Sequence, residues 1–147
     1  MNNTINFKGE FKFILRDKFG NIKDERIVPN LITNAGFDFV ADVMGNTTQP
    51  NDMAWTAIGT GVVAANVTDT TLGTEVAREA NTYAHTPGTK VYTATVTFGA
   101  GTGTGAITES GLLNAATVGT LLNRQVFATI NKAAADSLEV QWSLTLS

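Results

Sequence analysis

The chain has 147 residues, of which 43% are hydrophobic and 16% charged, with a net charge of −3, one His and no Cys. That length suits one domain that folds without a disulfide or metal staple, and the missing cysteine removes disulfides, thiolate metal sites and a cysteine nucleophile. Ten scattered Lys and Arg on a slightly acidic chain make nucleic acid a poor partner, and no apolar run reaches the roughly 18 residues of a membrane-spanning helix. Met1-Asn2-Asn3-Thr4 also lacks the basic-then-apolar pattern of a signal peptide, so use without secretion is expected. Charge is low against a usual figure of about 25%, and threonine is abundant, with 23 copies beside 14 Gly. This composition points to an all-β domain.

In chain order, Phe7, Phe11, Phe13 and Leu15 alternate with Lys8, Glu10 and Lys12, which predicts a half-buried strand. Gly9 is expected to mark a bulge in it. Asp17-Lys18-Phe19-Gly20-Asn21 reads as a turn, and Ile22 to Val28 as the returning strand, ended by Pro29. Residues 1–29 therefore form a β-hairpin or an exchanged arm, and 30–147 the main domain. A helix is predicted over about 34–44, capped by Thr33 or Asn34 and closed at Gly45, with Phe37, Val40, Ala41 and Met44 as its buried stripe. Met53–Thr60 reads as a strand, 62–80 as a surface excursion that opens a strand at Glu75, and 81–89 as a turn. Tyr92–Phe98 is a strand with a threonine-lined face, and 99–105 a glycine-rich link. Strands follow at 106–113, 121–130 and 138–146. Seven or eight strands and one helix predict an antiparallel β-sandwich or jelly roll.

The chemistry-bearing residues are few. Gly101, Gly103 and Gly105 are followed by Ala106-Ile107-Thr108, without the lysine of a phosphate loop or the helix of a dinucleotide fingerprint. His85 lies between Tyr83 and Pro87 with no motif linking it to a nucleophile and a carboxylate. The pairs Asp24-Glu25, Glu75/Glu79 and Glu109/Asp136 fit no glycosidase signature, and Asp69 stands without the ordered carboxylates of a calcium loop. Arg78 and Arg124 stand in charge-poor segments, where Glu75 or Glu79 and Glu109 are their candidate partners for fixing strand register or a subunit contact. Trp55 and Trp142 follow strand parity and are expected in the core or an interface. With Tyr83 they are also the stacking candidates of a glycan-binding sandwich. No catalytic residue, cofactor or metal site is assigned.

Several fragments, in order, resemble a family of small structural proteins of tailed bacteriophages: Asn30-Leu31-Ile32-Thr33-Asn34-Ala35-Gly36, Ala57-Ile58-Gly59-Thr60-Gly61, Asp69-Thr70-Thr71-Leu72-Gly73-Thr74-Glu75-Val76-Ala77-Arg78, Tyr92-Thr93-Ala94-Thr95-Val96 with the glycine-rich link after it, Ile107-Thr108-Glu109-Ser110-Gly111-Leu112-Leu113-Asn114, Leu121-Leu122-Asn123-Arg124-Gln125-Val126-Phe127, and Asp136-Ser137-Leu138-Glu139-Val140-Gln141-Trp142. The resemblance implies a non-enzymatic β-sandwich virion component, assembled in the host cytoplasm. Capsid decoration (cement) comes first among its roles, and a tail, neck or fibre-base component second. Its implied partners are the major capsid protein or other virion subunits, and further copies of itself. Phe7, Phe11, Phe13, Phe19, Trp55, Arg78 and Arg124 are the candidate interface residues.

Overall fold

The computed structural model describes residues 3–147. The chain forms, in order, β1 (Phe7–Arg16), β2 (Ile22–Pro29), β3 (Leu31–Ile32), α1 (Asn34–Gly45), β4 (Trp55–Gly59), β5 (Glu75–Ala80), β6 (Thr82–His85), β7 (Val91–Phe98), β8 (Gly105–Leu113), β9 (Asn123–Lys132) and β10 (Ser137–Leu146). These make two five-stranded antiparallel sheets, ordered β2-β1-β10-β7-β6 and β3-β9-β8-β4-β5. Hairpins alternate between the sheets: β1–β2 and β6–β7 lie in one, β4–β5 and β8–β9 in the other. The molecule is an all-β sandwich. Its core lies between the sheets, where Phe11, Phe13, Val96, Phe98, Val140 and Trp142 of the first meet Ile58, Ile107, Leu112 and Ile130 of the second.

The alternation read in β1 is seen in the fold, with Phe11 and Phe13 buried while Lys12 is only half-buried. β1 pairs with β10 over ten consecutive positions, from Phe7↔Leu146 to Arg16↔Ser137. The N-terminal hairpin is thus part of the sandwich wall. Gly9 makes no bulge, since the register runs straight through it; the irregularity of β1 falls at Leu15/Arg16, opposite β2. What Gly9 provides is space. A Cβ there would lie 2.2 Å from Asn30 Oδ1, the atom that accepts the Trp142 indole N–H at 3.1 Å.

Two elements escaped the sequence reading. The two-residue β3 is too short to show a period, and β6 sits where a turn was expected. The tight turn is shorter, with Thr89 N–H donating to Thr86 O and Gly88 at φ +89°, and all four residues of β6 are exposed on a sheet edge. The glycine-rich segment is the crossover from β7 to β8. Gly101 and Gly103 adopt positive φ there, and a Cβ at Gly103 would meet Ile58 Cδ1 at 2.6 Å.

Helix α1 begins as predicted and docks differently. Thr33 is its N-cap: Oγ1 accepts the Gly36 N–H at 2.9 Å and donates to Leu121 O at 2.7 Å. Gly45 is helical, and the cap is Asn46 in an extended conformation. The expected stripe faces mostly outward, with Phe37 46% and Met44 78% exposed. Gly36 is the helix's buried residue, seated on the chain before β9 so that a Cβ would fall 2.1 Å from Leu122 O. With that close seat, Val40 alone of the expected stripe packs on the core, joined by Phe39. Alanine in a helix normally stabilises by about 0.5–1 kcal/mol over glycine. At Gly36 the sign reverses, because a backbone oxygen cannot move aside. Gly36→Ala is expected to cost about 1–3 kcal/mol, read as a lower urea midpoint.

Candidate functional site

Two features stand out: a buried polar cluster in the second sheet and an apolar cavity beneath α1. The cluster is centred on Glu109 in β8, which is fully buried. Its Oε1 accepts the N–H groups of Gly61 (2.9 Å) and Thr74 (2.7 Å). Its Oε2 accepts the Gly73 N–H and Arg124 Nε–H, both at 2.8 Å. Arg124, in β9, also donates to Asp69 Oδ2 at 2.8 Å and to Val63 O at 2.9 Å. Burial pushes the Glu109 carboxyl upward, but the N–H groups of Thr74 and Gly73, the guanidinium and the Gly61 N–H outweigh it and hold the group below its ordinary value. Asp69 is lowered in the same way, with the Asn66 N–H and Arg124 overcoming desolvation.

The glycines around this carboxylate are required by it. A Cβ on Gly59 or Gly61 would sit 2.5 Å from Glu109 Oε1, and one on Gly73 would lie 3.1 Å from Arg124 Nη2. Thr108 Oγ1 donates to Gly61 O, and Ser110 Oγ to Ala57 O, both at 2.8 Å. The 60–74 excursion is thus tied to β8 and β9 by side chains. A carboxylate has about four lone-pair sites, and four donors occupy those of Glu109. A general base or metal ligand needs a free one. The cluster's chemistry is therefore fixation of a loop.

The cavity has a volume of about 370 Å³ and opens between α1 and the first sheet. Phe39, Val40 and Val43 of α1 overhang it, Met53 and Ala54 lie alongside, and Tyr83, Tyr92, Trp142 and Leu144 line the sheet side. Tyr92 packs against both Tyr83, tilted at 47°, and Trp142, edge-on at 63°, with ring centroids 5.1 and 5.4 Å apart. The polar lining is Asp52 and Asn81, and the Asn81 amide is spent on Met53 O and Thr56 Oγ1. Burial raises the Tyr92 hydroxyl to about 12, assisted by the Asp52 charge. Of the three stacking candidates, Tyr83 and Trp142 meet here, with Trp142 as a buried floor. Trp55 packs elsewhere, on the cluster of Ala57, Leu72, Leu113 and Leu121.

The candidate interface residues separate into three groups. Phe11, Phe13 and Arg124 are buried within the chain's own core, which is a correction: their alternation and charge pairing serve the fold and leave no surface for a partner. Phe7, Trp55 and Arg78 are half-buried; Phe7 packs edge-on to Phe37 of α1 at 5.6 Å. Phe19 is 77% exposed at the hairpin turn. The expected ion pairs form with Glu75 for Arg78 and Glu109 for Arg124, while Asp69 is an additional partner whose link to Arg124 has no sequence signal. His85 is exposed, with Nδ1 2.7 Å from Val91 O. Asp136 pairs with Lys23 at 2.7 Å, and Glu25 with Lys12 at 3.3 Å. Among the described residues no group of three or more His, Cys, Asp or Glu is placed to hold a metal ion, and no helix is long and apolar enough to cross a membrane.

Arg78 has a second task. Its Nη1 donates to Ala115 O (2.8 Å) and Val118 O (2.9 Å), clamping the 114–120 loop. There Val118 adopts φ +59° and is 85% exposed. A β-branched residue in the left-handed region is strained by about 1–2 kcal/mol. Asparagine tolerates that conformation. Val118→Asn is expected to stabilise the fold by about 1 kcal/mol, seen as a melting temperature higher by about 2–4 °C.

No family model matches this chain, and neither a curated protein nor a solved structure matches it.

Proposed function

We propose that the chain is a non-enzymatic structural protein of a tailed-bacteriophage virion that decorates the capsid and stabilises the outer shell. One observation carries the reading beyond the resemblance itself. Four of the fragments that carry the resemblance, far apart in sequence, meet around one buried centre, while those of β7 and β10 lie in the other sheet. Gly59 and Gly61 come from the fragment at 57–61, Asp69, Gly73 and Thr74 from that at 69–78, Glu109 and Ser110 from that at 107–114, and Arg124 from that at 121–127. Thr33 and Gly36, from the first, fasten α1 to the carbonyls of Leu121 and Leu122. Such a pattern is what a shared scaffold imposes, with the Glu109 carboxylate and the Arg124 guanidinium spent on holding loops in place. A subunit that serves by packing needs that rigidity.

Cryo-electron microscopy of the parent particle tests the assignment. Density for this sandwich repeated over the shell is the expected result. Density confined to the tail or neck would move the chain to the alternative structural role, and a particle without it would overturn the virion reading.

A further inference from the structure

The β1–β2 turn and the aromatic cavity stand at opposite ends of the first sheet. At the turn end Arg16 is opposite Ser137; at the cavity end Leu144 is opposite both Gly9 and Tyr92. The seven residue steps from Gly9 to Arg16 span about 23 Å along a strand. The turn therefore cannot reach the cavity of its own chain.

The turn is built as a knob. Asp17 Oδ1 accepts the N–H groups of Phe19 (2.9 Å) and Asn21 (3.0 Å), and Gly20 takes φ +84°. This holds Phe19 77% exposed, with Lys18 Nζ 5.0 Å from its ring centroid. A large apolar side chain on an ordered turn has little entropy left to lose when a partner covers it. At the other end, Tyr83, Tyr92, Phe39 and Val43 offer apolar walls with the Asp52 carboxylate beside them. The net charges differ in the same sense. Residues 8–26 carry six Lys and Arg against Glu10, Asp17, Asp24 and Glu25, with Lys12, Arg16, Lys23 and Arg26 already in ion pairs, whereas no Lys or Arg occurs between Arg26 and Arg78, the stretch that holds Asp38, Asp42, Asp52, Asp69 and Glu75.

We propose that the Lys18-Phe19 turn of one copy seats in the aromatic cavity of a second copy, Phe19 against the tyrosines and Lys18 beside Asp52. The contact is head-to-tail, so repetition closes a ring or extends a row. One aromatic side chain buries about 150–250 Å², well below the roughly 1,000 Å² of a self-standing interface. The contact is weak between free copies and is strengthened when many copies are held side by side. It concerns contacts between copies of this chain only, so its failure would leave the virion reading untouched.

The test uses the whole chain, ¹⁵N-labelled, followed by NMR and sedimentation as concentration rises. Resonances of Lys18–Gly20 and of Tyr83, Tyr92 and Asp52 are expected to move together, with a rising sedimentation coefficient. Phe19→Ser and Asp52→Lys, both at exposed positions, are each expected to weaken self-association at least about tenfold, the effect of losing one good contact. Labelled Phe19→Ser chain retains its cavity, and unlabelled Asp52→Lys chain retains its knob. Mixing the two is expected to restore shifts at Tyr83 and Tyr92. Adding Lys18→Glu to Asp52→Lys is expected to recover self-association. Absence of concentration-dependent shifts up to the solubility limit, shifts at one end alone, or shifts unchanged by Phe19→Ser would each overturn the proposal.

Discussion

Glu109→Ala is expected to destabilise the protein by about 3–5 kcal/mol, the usual cost of breaking a buried ion pair from one side. Single domains are stable by about 5–15 kcal/mol in total, so the variant will be marginal at 25 °C and unfolded at a moderate urea concentration. The loss has two parts. Arg124, itself buried, keeps its link to Asp69 but loses its inner carboxylate. The N–H groups of Gly61, Gly73 and Thr74 lose their acceptor in a place that only a carboxylate of this length reaches. Arg124→Met is expected to cost less, because Glu109 keeps three backbone donors. Equal costs for the two variants, by chemical denaturation, would mean that the guanidinium and not the loop N–H groups dominates the cluster.

The same centre sets a pH dependence. The folded-state values of Glu109 and Asp69 lie below their ordinary values of 4.5 and 3.8. A carboxylate with a depressed folded pKa contributes stability that is complete above the unfolded value and is lost as pH falls through the folded one. Stability is therefore expected to hold from neutral pH to about 5 and then decline with acid. The difference between the native protein and Glu109→Gln should narrow over that acid range, because the native side chain takes up the proton that the amide never needs.

The strands were legible where one face is buried and the other wet. β1, β7 and β10 show a period of two because each lies in a wall with the core on one side. β8 has no such period, since seven consecutive residues from Ile107 to Leu113 are buried; its strand character showed through apolar content and flanking turn residues. The helix position was legible from its cap, but its buried face was not. The seat of α1 is decided by the missing Cβ of Gly36 against a carbonyl 86 residues away, and hydrophobic spacing carries no trace of that. Glu109 and Arg124 were visible as a plausible pair. The convergence of three loop N–H groups on one carboxylate was not, because backbone donors have no sequence signature. Gly59, Gly61 and Gly73 are the indirect trace: each lies where a side chain would collide with the cluster.

Trp142→Ala is the second change expected to cost about 3–5 kcal/mol, the range for removing a large buried aromatic. The indole is 1% exposed, meets Tyr92 edge-on at 5.4 Å, and its N–H is the donor to Asn30 Oδ1 at 3.1 Å. Asn30 is half-buried and its buried Nδ2 has no partner, so the indole supplies the hydrogen bond that this side chain makes. Removing the indole also joins its volume to the 370 Å³ cavity it floors, so the sheet has nothing to collapse onto. Trp142→Phe separates the contributions. It keeps most of the apolar volume and leaves Asn30 Oδ1 without a donor, a loss of about 1–3 kcal/mol. Thermal and urea unfolding of the two variants side by side should therefore place Trp142→Phe between the native protein and Trp142→Ala. If the two variants fell together, the Asn30 bond rather than packing would be what joins the start of β3 to the middle of β10.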